Sequence, residues 1–227
     1  MIKHQIHSLL PFIFILFLAI ACGTNDHQEQ ESEDDILPDS VDMDGLVMSK
    51  EDEACLTVGH QICEWGVSFA QIGAYINDLK LSQWENAEIE DSIRAEDGFR
   101  WMQRTIHLAD GKIIIEGDFF EEALASDSLL QLSRVSRVTI QSPSFQTPQA
   151  IHVGSQLQQL TKLHADSLFE VIAIPEYETI TLQLPTESRL IYQIKDKDNQ
   201  ISGANTITNV AVGNLPQGIT IYAIVVM

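Results

Sequence analysis

One stretch decides the fold that the sequence predicts: RTIHLADGKIIIE, residues 104–116. Arg104–Leu108 and Lys112–Glu116 are both rich in β-branched residues, and the turn sequence Ala109-Asp110-Gly111 separates them. Asp-Gly between two such runs is a strong signal for a tight turn. The stretch therefore predicts an antiparallel β-hairpin.

Outward from this hairpin, the second half of the chain carries a similar arrangement. Thr179–Leu184 and Arg189–Ile194 read as two strands, separated by the polar residues 185–188. A further strand is predicted after each hairpin, at Val135–Gln141 and at Ile219–Val226. Residues 119–132 are compatible with a short helix, and residues 196–216, rich in Asn, Gly and Thr, predict a loop.

A sequence echo precedes each hairpin, at an offset of 88 residues. Residues 66–75 (GVSFAQIGAY) align with residues 154–163 (GSQLQQLTKL). Apolar residues recur every three positions, which is typical of one face of a short helix. Ser68 and Ser155 stand where a helix N-cap is expected. We expect the two stretches to be equivalent helices, with Phe69, Ile72, Leu157 and Leu160 buried.

These patterns predict an α+β domain made of two repeated helix-plus-antiparallel-strand units. The domain is expected over residues 55–227, with the units at about 55–143 and 144–227. Pro143 and Pro148 mark the boundary, because proline ends the strand before it. Residues 1–21 read as a signal peptide and residues 22–54 as a flexible acidic tether.

The N-terminal region carries an export pattern. Leu9–Ile20 is apolar and uncharged, Lys3 precedes it, and Ala19-Ile20-Ala21, with small residues at its first and last positions, leads directly to Cys22. A basic start, a short apolar core and small residues at a cleavage point are the layout of a secretory signal. With Cys22 directly after the small residues, the segment resembles a bacterial lipoprotein signal. That resemblance implies cleavage before Cys22, which would then carry lipid and attach the protein to a membrane of the cell envelope.

The charge distribution supports an exported protein that does not bind nucleic acid. Twelve acidic residues lie between residues 23 and 54, against Lys50 alone, and the net charge of the chain is −20. Such a segment cannot bury enough apolar surface to fold by itself. Nucleic-acid binding would need clustered Lys and Arg, and no cluster is visible. Asp42, Asp44 and Glu51 fall at the spacing of an EF-hand calcium loop, which leaves calcium binding open, although an acidic segment also produces this spacing by chance.

Two cysteines remain after Cys22. Cys55 and Cys63 form an even pair in an exported chain, which favours a disulfide. A metal site built from Cys55, His60 and Cys63 is the alternative, but a tetrahedral zinc site needs a fourth ligand, and none lies at motif spacing.

Catalytic patterns are weak. Ser68 lacks the closing glycine of a nucleophile elbow, and His107 lies mid-strand. Asp118, Glu121 and Glu122 are candidate paired carboxylates for glycoside chemistry, although a solvated helix start explains them as well. Trp65, Trp84 and Trp101 are candidate binding aromatics, since such residues dominate protein hot spots and sugar-stacking sites, but they equally fill cores.

The sequence therefore predicts a non-catalytic, lipid-anchored envelope protein that acts as a binding or scaffolding module without a cofactor. It resembles the uncharacterised envelope lipoproteins of the Bacteroidota, through its signal, its acidic start and the Gly-x-Ser-x-x-Gln-Ile unit. Its expected partners are the membrane, through Cys22, and an unknown envelope protein or glycan. A hydrolase acting on envelope glycan or peptide is the alternative. The outer membrane is the expected location, at either its periplasmic or its external face.

Overall fold

Antiparallel β-strands are the main secondary structure of the described chain. The computed structural model describes residues 48–84, 87–164, 168–174, 179–184, 189–195, 208–211 and 218–227. Its strands, in chain order, are β1 (Ile62–Cys63), β2 (Gly66–Val67), β3 (Ala70–Gln71), β4 (Glu88–Glu96), β5 (Phe99–Leu108), β6 (Gly111–Gly117), β7 (Phe120–Glu121), β8 (Val135–Ile140), β9 (Leu168–Ile174), β10 (Thr179–Gln183), β11 (Leu190–Lys195), β12 (Thr208–Ala211) and β13 (Ile221–Val226). Its helices are α1 (Lys50–Leu56), α2 (Asp127–Gln131) and α3 (Leu157–Leu163), and single 3₁₀ turns cover Ile76–Asp78 and Ser82–Trp84.

Ten of these strands form one large antiparallel sheet. Their order is β12-β9-β10-β11-β13-β8-β6-β5-β4, and β7 pairs with β5 beside this path. Strand β13 lies in the middle and pairs with β11 on one side and β8 on the other. The strands of the two sequence halves are therefore parts of one sheet. Strands β1 to β3 form a separate three-stranded sheet.

Both predicted hairpins are present. In the first, β5 and β6 pair antiparallel from Leu108 opposite Gly111 to Gln103 opposite Glu116. In the second, β10 pairs antiparallel with β11. A third hairpin, which the sequence analysis did not assign, joins β4 to β5 through Asp97 and Gly98. Both turn residues have positive φ, +50° and +82°, as a two-residue type I′ turn requires.

The hydrophobic core covers one face of the large sheet. Alternate residues of the strands point to that face and are fully buried, among them Ile106, Ile113 and Ile140. Segments outside the sheet pack against them and supply Phe69, Ile76, Phe145, Leu157 and Leu160. Backbone hydrogen bonds hold these segments in place, for example from the Ile76 N–H to the Ser133 carbonyl at 3.1 Å.

The predicted fold class is wrong. The structure is dominated by one antiparallel sheet and is not built from two helix-plus-strand units. The second echo stretch contains α3, whereas the first forms β2, β3 and the turns around them. The region 119–132 is helical only over the five residues of α2, and the predicted loop 196–216 contains β12.

Glycines and tertiary hydrogen bonds explain why the first stretch is not helical. Gly66 and Gly73 have φ values of +119° and +86°, which a right-handed helix does not allow. The Gly73 N–H donates to the Val135 carbonyl at 2.8 Å, so this segment is hydrogen-bonded to the start of β8 rather than to itself. Phe69 is buried and Ile72 is partly buried, but Ala70, which would lie off their shared face in a helix, is fully buried.

Candidate functional site

A groove lies between the edge of the large sheet and helix α2. Its volume is about 360 Å³, and it is lined by Asp91, Ser92, Ile93, Met102, Asp127, Leu130 and Gln131. Ligand pockets in proteins typically measure about 300–1,000 Å³ and combine apolar walls with a few polar groups. Ile93 and Met102 lie directly opposite each other on β4 and β5 and form the apolar wall. Ile93 remains 48% exposed, so this wall is open to solvent.

Arg100 and Ser126 position helix α2 beside the groove. The Ser126 hydroxyl accepts a hydrogen bond from the Leu129 N–H at 3.2 Å and so caps the helix. The Arg100 guanidinium donates to the Ala125 carbonyl at 2.8 Å and pairs with Asp127 at 3.1 Å. Leu130 is 1% exposed and anchors the helix in the core. These contacts hold one wall of the groove against β5.

A second arginine fixes the base of the groove. The Arg104 guanidinium donates two hydrogen bonds to the Asp91 carboxylate, each 2.7 Å long, and a third to the Ile76 carbonyl at 2.8 Å. The hydrogen bonding to Asp91 raises the pKa of Arg104, although burial of the guanidinium opposes this. A bidentate pair of this kind sets orientation as well as charge. Asp91 is therefore a rigid part of the groove.

The three candidate tryptophans lie in three different environments. Trp101 is 7% exposed; its Nε1 donates to Glu116 at 3.0 Å, and its ring lies 4.8 Å from that of Phe119. Trp65 is also 7% exposed and has the Arg189 guanidinium 4.2 Å above its ring. The structure therefore places these two rings in packed contacts.

Trp84 belongs to an aromatic cluster at the edge of the core. Its ring centroid lies 5.7 Å from that of His60, 5.3 Å from that of Phe69 and 5.9 Å from that of Phe145. Its buried Nε1 has no hydrogen-bond partner among the described residues. The structure does not bring the three tryptophans together into one aromatic surface.

Cys55 and Cys63 are joined in a disulfide, with their Cα atoms 6.1 Å apart. The bond ties α1 to the start of the small sheet, where Leu56, Cys63 and Trp65 form a small apolar cluster. His60, the third ligand of the alternative metal site, stacks on Trp84 instead. Among the described residues, no three His, Cys, Asp or Glu side chains are grouped as a metal site would need.

Cys22, the predicted lipidation site, and Asp42 and Asp44 of the calcium pattern lie outside the described residues. Glu51, the last member of that pattern, is exposed in the first turn of α1. Ser49 caps this helix by accepting a hydrogen bond from the Asp52 N–H at 3.1 Å. No helix of the described residues has the length and apolar character needed to cross a membrane.

The weak catalytic candidates are dispersed. Ser68 lies at a pocket of about 200 Å³ whose described lining contains Asp78 and Lys80 but no histidine. His107 faces Glu90 across β4 and β5, with its Nε2 3.7 Å from that carboxylate. Asp118 accepts a hydrogen bond from the Arg134 backbone N–H at 2.8 Å and so holds the start of β8.

The groove residues carry no strong functional motif in the sequence. The sequence does contain a signal for β4. In residues 88–96 (EIEDSIRAE), apolar and charged residues nearly alternate, and the turn residues Asp97-Gly98 follow. The position of α2 beside this strand had no local signal. It depends on contacts made by Arg100 with residues 25 and 27 positions further along the chain.

Comparison with solved structures shows a distant likeness. No protein-family model and no curated protein matches the chain. A solved structure that resembles it is the crystal structure of the uncharacterized protein yfeY from Escherichia coli, with 10% sequence identity and a TM-score of 0.47. The similarity covers 74% of this chain and 99% of that chain.

Proposed function

We propose that this protein is a non-catalytic binding module, attached through lipid on Cys22 to a membrane of the cell envelope, and that it binds its partner in the groove beside β4. The observation that carries the proposal is this open groove, with Ile93 and Met102 as its apolar wall. Exposed apolar surface framed by polar groups is typical of interaction sites. The export pattern before Cys22 supports the membrane attachment.

Ion pairs that hold side chains at the groove support a role of the groove in binding a partner. Arg104 fixes Asp91 on one side, and Arg100 fixes Asp127 on the other. A site that is already ordered loses less conformational entropy when a partner arrives. Two charged side chains are thus held at the border of an apolar surface, which is an arrangement that gives a partner both contact area and orientation.

Site-specific photo-cross-linking in cells that make the full chain tests this proposal. A photoreactive residue replaces Gln131, which is exposed at the groove, or Val58, which is 51% exposed and does not line it. We expect a discrete adduct from position 131 and none from position 58. An Ile93→Asp change should remove the adduct, because it places a charge in the apolar wall.

Leu163→Asp is the matched control, since Leu163 is 49% exposed and lies on α3. This variant should keep the adduct at the wild-type level. Equal adduct yields from positions 131 and 58, or equal losses in the two aspartate variants, would contradict a binding role for the groove.

A further inference from the structure

Strand β4 has one pairing partner among the described residues. It pairs with β5 over its whole length, from Glu88 opposite His107 to Glu96 opposite Phe99, and it ends the order of the sheet. Eight of its nine residues are exposed. An edge strand of this length presents a row of backbone N–H and C=O groups that can accept another strand. Nine residues correspond to about 30 Å of strand.

The two faces of β4 differ in chemistry. Ile89, Asp91 and Ile93 share the face that continues into the groove, where the two isoleucines are 41% and 48% exposed. Glu88 and Glu90 point to the opposite face, because side chains alternate along a strand. Of residues 88–97, five are acidic and only Arg94 is basic. A segment lying beside residues 88–93 of β4 would therefore meet Ile89 and Ile93 on one face and Glu88 and Glu90 on the other.

The charge of β4 favours one of the segments that could pair with this edge over the others. A second copy of β4 would place two strands of net negative charge side by side, which is unfavourable across paired strands. The chain's own segment between residues 23 and 54 has twelve acidic residues against Lys50, so it is repelled in the same way. An extended segment of another protein, with apolar and basic residues in alternation, matches both faces.

We propose that β4 binds such a segment as an added antiparallel strand, with its apolar side chains against Ile89 and Ile93 and its basic side chains beside Glu88 and Glu90. Main-chain hydrogen bonds supply affinity in this mode of recognition, and the alternating side chains supply specificity. The inference rests on the proposed function, since the same groove receives the apolar side chains, and it adds the chemical class of the partner.

Binding of a capped nine-residue peptide of alternating Lys and Val to the full chain tests the inference, by fluorescence anisotropy at about 0.15 M salt. A peptide with Glu in place of Lys should bind at least about tenfold more weakly. The double variant Glu88→Lys with Glu90→Lys should reverse this preference. Glu51→Lys with Glu53→Lys is the matched control on α1; it should leave the affinity within about twofold, because salt screens distant charges.

N-methylated peptides separate strand addition from side-chain contact. In an extended strand, alternate N–H groups point to opposite edges, so methylation of every Val nitrogen or of every Lys nitrogen blocks one edge only. We expect the two methylated peptides to differ at least about tenfold in affinity. Equal affinities of the two would overturn strand addition while leaving the groove a binding site.

Two further results would also count against the inference. Binding of neither the Lys nor the Glu peptide would mean that the acidic residues of β4 serve to prevent edge pairing, a common role of charges on edge strands. If neither peptide binds but position 131 still gives a discrete adduct, the added basic strand is overturned and the groove remains a binding site. If neither peptide binds and position 131 gives no adduct, the proposed function is overturned as well.

Discussion

Single residues decide the local conformation where the sequence echo breaks down. Gly66 pairs with Gln71 in the small sheet at a φ of +119°. A Cβ atom at this position would lie closer to the Ala70 carbonyl oxygen than real Cβ contacts allow. The sequence echo aligns Gly66 with Gly154 at the same spacing to the following apolar residues, and so predicts a helix after each glycine. Spacing does not distinguish a glycine before a helix from one in a tight hairpin.

Gly66→Ala should destabilise the protein by about 1–3 kcal/mol or more, because both the positive φ and the close contact with the Ala70 carbonyl disfavour a side chain. Gly59→Ala is the control; its Cβ would meet nothing within 4 Å, and stability should change by less than about 1 kcal/mol. Denaturant titrations of the two variants measure the difference. Equal stabilities would contradict the assigned conformation of Gly66.

The hydrogen bonds of Asp110 lead to a second local prediction, which concerns folding stability at low pH. Hydrogen bonds from the Ser144 and Ser142 hydroxyls lower the pKa of Asp110 and tie the β5–β6 turn to the segment after β8. A carboxyl whose pKa is lower in the folded state contributes stability above its unfolded pKa. That contribution is lost as the pH falls through the folded pKa.

Asp110→Asn and Ser144→Ala should therefore each reduce the loss of stability between about pH 5 and pH 2, relative to the wild type. The effect should be below about 1 kcal/mol, because Asp110 is exposed and solvent screens it. Chemical denaturation across this pH range measures it. If a variant loses as much stability at low pH as the wild type, the hydroxyl contacts do not stabilise the charged form of Asp110.

At the scale of elements, the hairpins were predictable and the helices largely were not. Asp110-Gly111 lies between two β-rich runs, so the signal for β5 and β6 is contained in a dozen neighbouring residues. The conformation of the first echo stretch depends instead on a backbone hydrogen bond between Gly73 and Val135, which are 62 positions apart. The groove is also non-local, since Ile93, Met102 and Leu130 come from three elements.

Helix α3 provides the matching test of packing. Leu160 is fully buried in the core, whereas Lys162 on the same helix is exposed. Leu160→Ala should cost roughly 2–5 kcal/mol, from lost apolar burial and the remaining cavity. Lys162→Ala should stay within about 0.5 kcal/mol. Similar losses for the two variants in a denaturant titration would exclude the assigned face of the helix.

At the scale of the whole molecule, the proposed attachment makes a prediction that does not depend on the sheet. Cys22 directly follows the small residues that end the apolar run, so metabolic labelling with a fatty-acid analogue should mark the protein. Cys22→Ser should abolish the label and release the protein from the membrane fraction. Cys63→Ser is the control and should keep the label. Equal labelling of the wild type and the Cys22 variant would refute the lipid attachment.

The central position of β13 has a consequence for the order in which the molecule can be completed. A chain that enters a compartment from its N-terminal end presents β4, β5, β6 and β8 first and β9 to β12 later, but β13 after all of them. Until residues 221–226 arrive, β8 and β11 lack the neighbour that each has in the finished sheet. Native pairing across the middle of the sheet therefore waits for the last strand described.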